Sequence, residues 1–154
     1  MTTPLPRAVL AAFGLFVASL LIVCSAFADC MSMHGNIYCG SGECIQTRGE
    51  VYCAANEFGG VIKYNGAAWC GAGDCVVYMG QPWCSQFPGG GITINNGSVY
   101  SGPGECIDHR GHVWCAKKPR GKCFSHNGRA LCEQGAVREL AVYAQPCNRA
   151  TELR

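Results

Sequence analysis

The sequence contains no G-x-S-x-G elbow, no Walker loop, no H-E-x-x-H and no C-x-x-C or C-x-x-C-H. Hydrolase, nucleotide, zinc-protease, thioredoxin and haem readings therefore lack their starting residues. Acidic side chains are few, ten in 154 residues, and so scattered that no paired-carboxylate arrangement of the kind a glycosidase needs emerges. Nothing points to catalysis or to a cofactor, and the expectation is a protein that is not an enzyme.

Cysteine and glycine are what the chain has in quantity, 13 and 21 residues. Residues 106–115, Cys-Ile-Asp-His-Arg-Gly-His-Val-Trp-Cys, read as four residues out, a two-residue turn at Arg110-Gly111, and four residues back, which is the pattern of a β-hairpin. The second turn residue must take a positive φ, which glycine does without the clash of a Cβ. In such a hairpin Cys106 and Cys115 fall opposite each other at a non-hydrogen-bonded pair, where Cα atoms approach to about 4.5 Å, within reach of a disulfide.

The same ten-residue frame recurs at 30–39, 44–53, 61–70, 75–84, 92–101 and 123–132, always with glycine sixth and three times with Asn before it, at Asn65, Asn96 and Asn127. Starts are separated by 14 and 17 residues in alternation, so two hairpins make one 31-residue repeat, about three and a half times over. Units this small bury no core alone and must stack. The fold class expected is all-β: a disulfide-stapled β-hairpin repeat array, solenoid-like, with a closed propeller-like or barrel arrangement as the alternative.

Residues 1–28 read as an export signal, with Arg7, the apolar run 8–23 and Ala26-Phe27-Ala28 before Asp29. An uncut membrane anchor and lipidation at Cys24 are the rival readings, and only they imply a membrane. The repeat domain then spans 29–132, with 133–154 as a C-terminal cap or tail that holds either a short helix around residues 136–143 or a degenerate eighth hairpin. Such cysteine density in an exported chain implies a disulfide framework, and hence a secreted or periplasmic location.

The unit at 92 lacks both frame cysteines at once, having Ile92 and Ser101, as expected if those positions are partners. Pairing within hairpins joins Cys30 to Cys39, Cys44 to Cys53, Cys75 to Cys84, Cys106 to Cys115 and Cys123 to Cys132. A scheme through the C-x4-C pairs, such as Cys39 to Cys44, strands Cys106. Cys70 and Cys147 are left over, either linking copies of the chain, the reading preferred, or bridging when the tail folds back.

Within the frame an aromatic stands ninth in six units, Tyr38, Tyr52, Trp69, Trp83, Tyr100 and Trp114, across from a mostly apolar second position. This row is either inter-hairpin core or a ligand-stacking surface. In its plan of short hairpins rich in glycine and aromatics the chain resembles choline-binding and wall-binding repeat modules, a likeness of plan that identifies no family. His109 and His112 face each other across one turn and His126 stands in the next hairpin, a spacing that suits zinc or copper as well as it suits surface histidines. Glu43, Asp74 and Glu105 recur every 31 residues, one carboxylate per repeat, too few oxygens for calcium. Asn96-Gly97-Ser98 is a glycosylation sequon as well as a turn.

Charge is uneven: residues 29–91 carry two basic and five acidic side chains, residues 92–154 nine and five. Lys117, Lys118, Arg120, Lys122 and Arg129 cluster in the last long connector and hairpin, fit for a polyanion or for the acidic half of another copy. Intracellular nucleic acid is not an expected partner of an exported chain. The functional expectation is a secreted or periplasmic non-enzymatic binding or structural module at the cell surface, with an unidentified surface ligand or protein partner. The alternatives are a disulfide-rich effector or inhibitor presenting the connector 116–122, and an exported metal-binding protein.

Overall fold

The computed structural model describes residues 29–153, so the export-signal expectation for 1–28 and Cys24 lies outside the described residues. The described residues form twenty short strands and no helix. Hairpin 1 is β1 (Asp29–Met33) with β2 (Asn36–Gly40), hairpin 2 is β3 (Cys44–Thr47) with β4 (Glu50–Cys53), and hairpin 3 is β5 (Val61–Tyr64) with β6 (Ala67–Cys70). Hairpin 4 is β7 (Cys75–Tyr78) with β8 (Gln81–Cys84), and hairpin 5 is β9 (Ile92–Asn95) with β10 (Ser98–Ser101). Hairpin 6 is β11 (Cys106–His109) with β12 (His112–Ala116), and hairpin 7 is β13 (Cys123–His126) with β14 (Arg129–Cys132). The sheets are small and do not close on one another, which sets aside the barrel and propeller alternative.

Every turn places both central residues at positive φ, 45–53° at the fifth frame position and 69–83° at the sixth. These are type I′ turns, whose twist matches that of the strands. Four of the fifth positions are His34, Arg48, Met79 and Arg110, residues that pay a steric cost there which Asn does not. The register is the one the frame requires, with Cys106 opposite Cys115 and the equivalent pairs opposite each other in the other stapled hairpins. Five bridges close at Cα separations of 4.0–4.2 Å, Cys30–Cys39, Cys44–Cys53, Cys75–Cys84, Cys106–Cys115 and Cys123–Cys132.

The hairpins stack with a constant polarity. Frame positions 2, 4, 7 and 9 of one hairpin face positions 1, 3, 8 and 10 of the next. Thus Met31, Met33 and Tyr38 of hairpin 1 pack on Cys44, Val51 and Cys53 of hairpin 2. Asn95 Nδ2 of hairpin 5 donates to Asp108 Oδ2 of hairpin 6 over 2.7 Å, and Ser125 Oγ of hairpin 7 meets His109 Nδ1 of hairpin 6 at 3.1 Å. The relation is the same across short and long connectors.

The connectors are part of the fabric. Gly42, Gly73 and Gly104 N–H groups donate to the carbonyls of Ala54, Ser85 and Ala116, and those residues return bonds to Glu43, Asp74 and Glu105. One backbone ladder is thereby repeated every 31 residues. Phe58, Gly89 and Arg120 occupy equivalent positions at φ 56–62°, and the Arg120 guanidinium stacks 4.1 Å over the Phe58 ring. A Cβ on Gly89 would lie 2.9 Å from Arg120 Cγ and 3.1 Å from Phe58 Cβ, so this contact between alternate repeats depends on glycine between them. The connector 116–122 is likewise tied down, with Arg120 N bonded to Pro103 O.

The tail departs from both expectations for it. It is neither a helix nor an eighth hairpin but a strap that returns along the stack. Its segments are β15 (Ala136–Val137), β16 (Glu139–Leu140), β17 (Val142–Tyr143), β18 (Gln145–Pro146), β19 (Asn148–Arg149) and β20 (Thr151–Leu153), which pair in that order with β12, β10, β8, β6, β4 and β2. Each hairpin from 6 back to 1 thus gains a third strand, and hairpin 7 alone stays two-stranded. The step is three residues per hairpin. Three extended residues span about 10 Å, which is the packing distance between stacked sheets. The residue that steps between hairpins is small and turned inward: Ala141, Ala144, Cys147 and Ala150 donate N–H to the carbonyls of Val99, Pro82, Ala68 and Val51. Unpaired hairpin edges supply the partners that override the helical preference of this alanine-containing stretch.

The strap is locked at one point. Cys70 and Cys147 form a bridge within the chain, with Cα atoms 5.0 Å apart, which corrects the preferred expectation that these cysteines link copies. The strap's three-residue step brings Cys147 directly over hairpin 3, where Val61 has left Cys70 without a frame partner. Further along, Arg149 Nη2 pairs with Glu50 Oε1 at 2.8 Å while Tyr52 donates to Glu50 Oε2 at 2.6 Å. That carboxylate raises the pKa of the Tyr52 hydroxyl, chiefly through this hydrogen bond.

Candidate groove between hairpins 4 and 5

At two of the three junctions with long connectors, the fourth and fifth frame positions of one hairpin reach the turn of the next. Thr47 Oγ1 donates to Gly66 O at 2.9 Å and Arg48 Nη2 to Asn65 O at 3.3 Å. His109 Nε2 lies 3.1 Å from Gly128 O, and a Cβ on Gly128 would meet Arg110 Nη2 at 2.7 Å. Between hairpins 4 and 5 the equivalent residues are Tyr78 and Met79. Neither hydrogen-bonds the Asn96-Gly97 turn among the described residues, and a Cβ on Gly97 would meet nothing within 4 Å.

The clasp that closes the other two junctions is missing here, and a groove of about 390 Å³ opens, bordered by Tyr78, Met79, Gln81, Trp83, Ser98 and the strap residue Tyr143. Met79, at positive φ, is 77% exposed at its lip. The Tyr143 ring stacks on Trp83 with centroids 4.2 Å apart and an interplanar angle of 27°.

Two further features single out this junction. Hairpin 5 is the unit whose cysteine positions hold Ile92 and Ser101, so no disulfide fills the face turned toward Trp83. Trp83 Nε1 and Ser101 Oγ are buried without a hydrogen-bond partner, whereas Trp69 Nε1, at the same frame position as Trp83, donates to Tyr64 O at 3.3 Å. Buried polar atoms are almost always paired in folded proteins, by solvent or ligand if not by protein. The lining carries no Asp, Glu, Lys, Arg or His. An uncharged ligand with a flat apolar face and hydrogen-bonding edges fits that chemistry.

The other sequence-derived candidates are placed as follows. Tyr38, Tyr52, Trp69, Trp83 and Tyr100 are half-buried in the junctions, beside the strap residues Glu152, Arg149, Pro146, Tyr143 and Leu140 respectively. The row is therefore mostly packing. Trp114 is more exposed and borders an open hollow of about 290 Å³ with His112 and Arg138. His109, His112 and His126 are not gathered into a metal centre: among the described residues no group of three or more His, Cys, Asp or Glu side chains converges. Both ring nitrogens of His109 are engaged with hairpin 7, at Gly128 O and Ser125 Oγ. The carbonyl only accepts, so Nε2 carries the proton there.

Glu43, Asp74 and Glu105 line the connector ladder close enough to feel one another. Burial, and then the charges of Glu43 and Glu105, raise the pKa of Asp74 above the usual carboxylate value. Folded Asp74 thus holds its proton to higher pH than unfolded Asp74. Its contribution to stability is full in acid and is lost as pH rises through the raised value. Asp74→Asn is expected to raise the thermal midpoint at neutral pH, with the difference from the native chain closing as melts are repeated at strongly acidic pH. An unchanged difference across that range would show that burial of the charge is not what the substitution relieves. Glu105 is offset by Lys122 at 3.2 Å.

No family model matches the chain, and no curated protein or solved structure matches it.

Proposed function

We propose that this chain is an exported, non-enzymatic binding module whose contact site is the groove between hairpins 4 and 5. Six bridges within one chain suit an oxidising, extracellular type of compartment. The observation that carries the reading is the coincidence, at one junction of an otherwise regular stack, of a missing disulfide, a missing clasp, two orphaned polar atoms and an aromatic pair. The ligand is a neutral saccharide. Its ring face matches Tyr143 and Trp83, and its hydroxyls match Gln81 and Ser98 at the groove edge.

Titration of neutral oligosaccharides against intrinsic tryptophan fluorescence tests this. Saturable quenching is expected, weakened at least tenfold in Tyr143→Ala and less in Met79→Ala, with melting and disulfide pattern retained in both. Tyr143 and Met79 are exposed, so their removal leaves the fold in place. Binding confined to charged ligands, or binding indifferent to both substitutions, would overturn the assignment.

A further inference from the structure

Regular stacking makes the two ends of the array different from its middle in opposite ways. The eighth frame position is buried in hairpins 2 to 6, at Val51, Ala68, Pro82, Val99 and Val113, yet its counterpart Ile37 in hairpin 1 is 51% exposed against 1% for Val51. At the other end positions 2, 4, 7 and 9 of hairpin 7 are all exposed, with Phe124 at 54% and Leu131 at 43%, beside His126 and Arg129. In hairpin 2 the same four positions, Ile45, Thr47, Glu50 and Tyr52, are buried or half-buried. Terminal units of repeat proteins ordinarily carry a polar outer face. Here each end shows the apolar half of the contact that the interior repeats, and the two halves are complementary.

We infer that copies of this chain stack end to end, hairpin 7 of one seating Phe124 and Leu131 on the Cys30–Cys39 and Ile37 face of hairpin 1 of the next. The contact reproduces the interior one, in which Met31 and Tyr38 sit on Val51 and the Cys44–Cys53 bridge. Charge points the same way. Residues 105–133 hold six cations, Arg110, Lys117, Lys118, Arg120, Lys122 and Arg129, against Glu105, Asp108 and Glu133, and Lys122 and Lys118 pair with the first and last of these; the remaining balance is still basic, whereas residues 29–53 hold Asp29, Glu43 and Glu50 against Arg48 alone. A cationic end therefore approaches an anionic one, which orients the encounter. Because the two surfaces differ, the contact is heterologous, and because it repeats the stacking of the interior hairpins, whose sheets do not close on one another, it extends the array and growth is open-ended. Each copy would add one groove to the assembly.

Sedimentation velocity of the purified, exported chain tests this. Species beyond the dimer, increasing with concentration and receding with added salt, are expected. Ile37→Arg blocks the first face and faces the cationic end; Leu131→Asp blocks the second and faces the anionic one. Each variant alone should remain monomeric with its bridges intact by mass mapping. An equimolar mixture of the two should give a dimer and nothing larger, since it retains one matched pair of faces. A native chain that stays monomeric at all concentrations would overturn the inference, as would dimers that persist in either single variant.

Discussion

Replacing Cys70 and Cys147 together by serine is expected to lower the stability of the folded chain by about 4 to 5 kcal/mol, the chain-entropy value for a bridge between such distant residues. The two are 77 positions apart, whereas each hairpin bridge joins residues nine apart, for which the same model gives about 2 to 3 kcal/mol. The long bridge therefore outweighs any short one. It also fastens the strap at its middle, between the segments on hairpins 4 to 6 and those on hairpins 1 and 2. Denaturant melts of the double variant beside Cys75→Ser/Cys84→Ser measure the comparison. A loss no greater than that of the hairpin bridge would mean that edge pairing alone holds the strap.

Gly71→Ala is the second large effect. A Cβ at Gly71 would lie 2.1 Å from Cys84 Cβ and 2.8 Å from its Sγ, against the bridge of the following hairpin. Gly40 and Gly102 stand in the same relation to Cys53 and Cys115, at 2.2 and 2.3 Å. The bridge is fixed at both ends and has no rotamer to escape into, so the added methyl must displace backbone. Overpacking of this kind costs about 3 kcal/mol. Gly97→Asn is the control, at a turn with open space and a φ that Asn tolerates, and a change of about 1 kcal/mol or less is expected there. Equal losses in the two variants would remove the crowding explanation.

The hairpins were legible in the sequence because everything that makes them is local. The sixth-position glycine declares the turn, the turn sets the register, and the register brings first and tenth positions together. The strap was not legible, because its rhythm matches neither the two-residue period of a strand nor the 3.6 of a helix. Ala141, Ala144, Cys147 and Ala150 mark every third residue, a spacing that acquires meaning only against a stack of sheets about 10 Å apart. Cys70 gave the one available hint of it, as a cysteine deprived of its local partner by Val61.

The groove was half legible. The loss of both cysteines in the unit at 92 is visible in the sequence, where its direct meaning is that first and tenth positions are partners. Thr47, His109, Arg48 and Arg110 at equivalent frame positions were visible too. That they close junctions, and that Tyr78 and Met79 do not, follows only once one hairpin's turn is seen to lie over the next. The hairpin does set His109 opposite His112 across its turn, which is all the sequence spacing conveys. In space His109 spends both nitrogens on its neighbour.

The three-residue step of the strap turns the C-terminal segment into a gauge of the array it spans. Each triplet is matched to one hairpin, and the Cys147 triplet is matched to hairpin 3, whose Cys70 has no cysteine opposite it in its own frame. Loss or duplication of a 31-residue repeat between Cys70 and the strap would move the following triplets two hairpins out of step and carry Cys147 away from Cys70. A change in repeat number is therefore tolerated only with a compensating change of six residues in the strap, so array length and tail length must be inherited together.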